Sequence, residues 1–95
     1  MLEFLQSWYA ARCNGSWEKG LGITIETLAS PGWAVTVDLT DTPLERRKMA
    51  RMKRERSPTD WIDCAVEHGR FRGEGDPGKL AEIIGVFQRW AVEQK

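Results

Sequence analysis

From Leu21 to Thr40 the chain alternates apolar and polar residues with a period of two, broken once by Ser30-Pro31-Gly32. Leu21, Ile23 and Ile25 alternate with Gly22, Thr24 and Glu26; Trp33, Val35, Val37 and Leu39 alternate with Ala34, Thr36, Asp38 and Thr40. Successive side chains of a strand point to opposite faces, so each run reads as a strand with one buried face. Pro fixes φ and Gly tolerates positive φ. The interruption is therefore a tight turn and the two runs an antiparallel hairpin.

Helical periodicity marks both ends. Between Met1 and Arg12, Leu2, Leu5 and Tyr9, flanked by Phe4 and Trp8, fall opposite Glu3, Gln6, Ser7 and Ala10, and Asn14-Gly15-Ser16 ends the helix. At the other end Asp76 suits an N-cap and Pro77 a first helical position. Leu80, Ile83, Ile84, Phe87 and Ala91 then line one face, with Lys79, Glu82, Gln88, Arg89 and Glu93 on the other. Gly85 costs this helix roughly 1 kcal/mol relative to Ala, which implies a close neighbour.

The middle is less regular. Glu45 to Arg56 has a helical composition, but Met49, Ala50 and Met52 are too few for an apolar stripe, so both helix and strand stay open. Ser57-Pro58 closes it. Ile62, Cys64 and Val66 then alternate with Asp63, Ala65 and Glu67 as a strand, and His68-Gly69 turns into a short strand carrying Phe71. The expected architecture is one α+β domain over 1–95, a two-layer fold. An antiparallel meander of four to five strands has the N-terminal and C-terminal helices on one face. Its core should hold Ile23, Ile25, Trp33, Val35, Val37, Ile62, Phe71, Leu80, Ile84 and Phe87. Five tryptophans, each able to bury about 150–250 Å², add to a modest core.

Charge and composition narrow the function classes. Fourteen basic and fourteen acidic residues leave no net pull toward nucleic acid or membrane. No apolar run reaches the ~20 residues of a membrane-spanning helix, and the stretch from Met1 to Cys13 lacks a basic start and carries Glu3, unlike a secretory signal. Cys13 and Cys64 stand far apart and belong to no Cys/His cluster, so a cytoplasmic chain with two reduced thiols and no metal or other cofactor is expected.

Catalytic patterns are thin. His68, the single histidine, sits at a turn, Cys64 within an apolar strand, and Cys13 beside no base except Arg12. Gly73-Glu74-Gly75-Asp76-Pro77 has the form of an anion-binding loop, but Glu74 and Asp76 would repel a phosphate. Seven of the fourteen basic residues fall between Arg46 and Arg56. A nucleic-acid domain could use that strip on phosphates. Cross-strand pairing explains it better: on a third strand, Arg51 and Lys53 would project between rows carrying Asp38, Asp63 and Glu67.

Across nearly its whole length the chain resembles the immunity protein 53 family of small bacterial antitoxins found beside polymorphic toxins. The matching residues include Trp8-Tyr9 with Cys13, Trp17-Glu18, Pro31-Gly32-Trp33, Asp38-Leu39, Asp60-Trp61-Ile62, Cys64, Gly75-Asp76-Pro77, Phe87 and Trp90. The resemblance implies a non-enzymatic cytoplasmic protein that binds and neutralises a cognate toxin. The nucleic-acid domain built on 46–56 is the alternative. The expected partner surface is the sheet face opposite the helices, with Asp38, Asp63, Arg51, Lys53, Arg54 and Arg56, and the adjoining Trp17-Glu18 loop.

Overall fold

The computed structural model describes residues 1–93. The order of elements is α1 (Leu2–Arg12), α2 (Trp17–Gly20), β1 (Ile23–Leu28), β2 (Gly32–Asp38), β3 (Met52–Ser57), β4 (Asp60–Glu67), β5 (Arg70–Gly75) and α3 (Leu80–Glu93). All five strands form one antiparallel sheet, and both terminal helices lie on one side of it, as the alternation and the two helical stripes require. The segment that admitted helix or strand is a strand from Met52 onward. The one-turn α2 had no signal in the sequence.

Strand order is where the fold departs from a sequential meander. It runs β1-β2-β5-β4-β3, so β5 occupies the centre and the basic strand β3 an edge. Three tight hairpins join β1 to β2, β3 to β4 and β4 to β5. At the last, His68 and Gly69 both take positive φ, as a two-residue hairpin turn needs. The β2–β3 connection passes under the ends of β5 and β4. Leu39 and Leu44 anchor it in the core, and Trp90 Nε1 donates to Lys48 O at 2.9 Å. Asp38 consequently lies beside Arg70 of β5, not beside β3.

Helix α3 crosses the middle of the sheet over β2, β5 and β4, and α1 packs along α3. Phe87 is the hub: its ring meets Phe71 below at 5.2 Å, and Trp8 edge-on from α1 at 5.3 Å and 90°. Gly73 makes this approach possible, because a Cβ there would run into Ile83 Cγ2. The close neighbour of Gly85 is Met1 Sδ, which would lie 3.2 Å from an added Cβ.

Val35, Val37, Ile62, Phe71, Ile84 and Phe87 are buried as expected, with Ile23, Trp33 and Leu80 packed against them. Ile25 is the exception, at 43% exposed, because β1 is the outer strand and α3 does not reach over it. The helix also starts later than its cap residues suggest. Asp76, only 4% exposed, instead knots the helix entry to β4. Its carboxylate accepts from Trp61 N (2.9 Å), Gly78 N (2.8 Å) and Lys79 Nζ (2.7 Å), and Lys79 also reaches Asp60 at 2.8 Å. Lys79 first, then the Trp61 N–H, hold the Asp76 pKa down at about 2.

Candidate functional site

Helices cover one face of the sheet; among the described residues no element covers the other. Register places Thr24 and Glu26 of β1, Ala34, Thr36 and Asp38 of β2, and Arg70, Arg72 and Glu74 of β5 on that open face. Trp61, Asp63, Ala65 and Glu67 of β4 and Lys53 and Glu55 of β3 lie on it as well. Small side chains at the centre and long ones around them shape a trough of about 390 Å³. Thr36 and Ala65 lie in it, bordered by Arg51, Arg72, Glu67 and Glu74. His68 stands at one end, and a second hollow of about 350 Å³, beside Trp61, Lys53 and Glu55, lies toward the other.

The charges of this face hold one another in place. Arg51 grips Asp63 with two hydrogen bonds, Nε to Oδ1 at 2.9 Å and Nη2 to Oδ2 at 2.6 Å. That contact first, against the opposing effect of burial, lowers the Asp63 pKa and raises that of Arg51. Arg72 donates to Thr36 Oγ1 at 2.9 Å and Glu74 Oε2 at 3.2 Å, and lies 3.9 Å from Glu26. Arg70 lies 3.5 Å from Asp38. Exposed pairs of this kind contribute only about 0–1 kcal/mol each to stability. Their consequence is positional: guanidinium and carboxylate groups are fixed in alternation across four strands.

Of the eight residues expected at a partner surface, the structure brings Asp38, Arg51, Lys53 and Asp63 together on this face. Arg54 points the other way. The β3–β4 register sets it opposite Ile62 on the helix side, where it donates to Glu82 Oε2 at 2.8 Å. Arg56 is exposed at the bulge between Glu55 and Ser57. Trp17 and Glu18 do not adjoin the open face. Trp17 is 2% exposed, its ring 5.8 Å from Trp8 and 5.9 Å from Tyr9 of α1. Glu18 closes the turn before it, accepting from Asn14 N at 3.0 Å and Gly15 N at 2.9 Å. Arg70, Arg72, Glu74, Thr36 and Ala65 escaped the sequence reading as members of the site. Their signal was the alternation around Phe71: once Phe71 faces the core, Arg70, Arg72 and Glu74 must face away.

The face offers little for covalent chemistry. The hydroxyl that lines the trough with His68, that of Thr36, accepts a hydrogen bond from Arg72 at 2.9 Å, and no thiol lines it. Cys64 lies on the helix side, fully buried, and burial pushes its thiol up to about 12, far from the nucleophilic thiolate. Cys13 is exposed, and its Sγ donates to the Tyr9 carbonyl at 3.3 Å. No group of three or more His, Cys, Asp or Glu side chains among the described residues is placed to hold a metal ion. No described helix is long and apolar enough to cross a membrane.

Fold and site together define a two-layer α+β domain whose helices fix a sheet with one uncovered face of ordered charge. The chain belongs to the immunity protein 53 family, whose model matches residues 2–92. Comparison with curated proteins and with solved structures finds no match. Membership carries the general role of the family, that of an immunity protein with a toxin as its partner.

Proposed function

We propose that this chain is the antitoxin of a bacterial polymorphic toxin system, acting in the cytoplasm by binding its cognate toxin through the open sheet face. The observation that carries this reading is the face itself: Arg51, Arg70 and Arg72 alternate with Asp63, Asp38 and Glu74, each held by a partner. Charges already ordered in the free protein cost little to immobilise on binding, and their alternation rejects partners that would bring like charges together. Neutralisation at nanomolar affinity corresponds to about −12 kcal/mol. The usual interface for such a complex removes about 1,600 Å² from water, more than the trough alone supplies, so the rows of charge around it belong to the contact.

The nucleic-acid alternative has less behind it. The basic run does not form one phosphate-facing strip, since Arg51 is engaged by Asp63 and Arg54 by Glu82 on the opposite side of the sheet. Acidic residues also stand throughout the open face.

Co-expression with the toxin encoded beside this chain tests the reading. The parent should protect, and Arg51→Glu with Arg72→Glu should lose protection while remaining folded by circular dichroism. Full protection by that double variant, at equal expression, would remove the open face from the contact.

A further inference from the structure

The two edges of the sheet are built differently. β3 carries Lys53-Arg54-Glu55-Arg56 and is bulged between Glu55 and Ser57, and both features keep a strand from accepting another. β1 has neither. It reads Ile-Thr-Ile-Glu-Thr-Leu, a mostly β-branched strand with one charge, and Thr24 through Thr27 are all exposed.

Hydrogen bonding fixes which backbone groups of β1 face outward. Asp38 N donates to Gly22 O at 3.0 Å, so Gly22 is the hydrogen-bonded partner of Asp38. The two-residue period then turns the N–H and C=O of Thr24, Glu26 and Leu28 toward β2. Those of Ile23, Ile25 and Thr27 point away from the sheet, and among the described residues they meet no backbone partner.

We propose that this edge pairs with β1 of a second copy, antiparallel about a two-fold axis at Ile25, joining the two sheets into one. A two-fold contact must be self-complementary, and this strand meets that condition in one register. With Ile25 on the axis, Ile25 faces its counterpart, Ile23 faces Thr27 and Thr27 faces Ile23. Every outward-pointing residue then meets another and exchanges two hydrogen bonds with it. The half-exposed Ile25 side chains cover each other on the helix-bearing side. On the open side Glu26 stands opposite Thr24. Moving the axis to Glu26 would set two carboxylates against each other. Moving it to Thr24 would leave Thr27 opposite Leu21, outside the strand. The helices of both copies share one side, and the two open faces become continuous.

Sedimentation of the protein alone tests this independently of any toxin. Over about 1 µM to about 1 mM, a range that captures weak association, the mass should rise from 10.9 kDa toward twice that value. Thr24→Lys, which opposes Glu26 of the second copy, should tighten association, and Thr24→Glu should loosen it. Each change should be roughly twofold to thirtyfold, the effect of two symmetric cross-strand charge pairs. Ile25→Pro removes an outward N–H that β2 does not use and should abolish the larger species; should it unfold, the two Thr24 variants still decide. A single-chain mass across the whole range overturns the proposal. So does a dimer indifferent to both Thr24 substitutions, or a β1 edge that pairs with a toxin strand but never with itself.

Discussion

Arg51, the residue before β3, and Asp63 of β4 are bound through two parallel hydrogen bonds, at 2.9 and 2.6 Å, on the face of the sheet that carries no helix. The pair fixes the guanidinium at the rim of the trough, where a binding partner would meet it. It also gives a single-substitution test. Asp63→Asn should change stability by less than about 1 kcal/mol in a denaturant melt, as expected for an exposed pair. It should nevertheless weaken toxin binding, because Arg51 is then free to leave its position.

The core should fail first at Phe87. Its ring touches Phe4, Trp8, Phe71 and Trp90, so truncation opens a cavity shared by both helices and the sheet. Phe87→Ala should cost about 3–5 kcal/mol, a large part of the stability of so small a domain. Urea unfolding checks this; a midpoint equal to that of the parent would contradict the packing described.

The two thiols should behave differently. Iodoacetamide at mildly alkaline pH should modify the exposed Cys13 in the native protein and reach Cys64 only after unfolding. Mass spectrometry of the intact and peptide-mapped protein reads both. Cys13→Ser should protect cells as well as the parent, since Cys13 caps α1 on the helix-bearing side, away from the open face.

Acid should loosen the helix entry. The folded pKa of Asp76, about 2, lies below its unfolded value near 4, so the native state binds fewer protons over that interval. Its contribution is complete above about pH 5 and is lost as the pH falls through 4 toward 2. Asp60 and Asp63, both lowered chiefly by hydrogen bonds to basic side chains, act in the same direction. Melting temperature against pH should therefore drop through this window. Asp76→Asn should lower it at pH 7 and flatten the drop.

Much of this structure was legible in the chain because burial imposes a period. Alternation located β1, β2 and β4, and the 3.6-residue stripe located α3, since each element has one face against the core. Strand order was not legible. β5 lies between β2 and β4 because Gly73 and Gly75 let α3 sit directly on the sheet, a relation between residues far apart in sequence. The same cause hid half of the site. Arg70 and Arg72 become central only when β5 does, and Arg54 turns toward Glu82 only once the β3 register is set. Trp17 was expected in a loop adjoining the partner surface, yet Trp8 and Tyr9 on α1 enclose it.

The central claim, that the open sheet face meets the toxin, is tested most directly by association kinetics with the purified toxin domain across a salt series. Reversing Arg51 and Lys53 to Glu should leave the fold intact and slow association. The loss should be largest at low ionic strength and shrink as salt screens the field. Association rates equal to those of the parent at every salt concentration would contradict it.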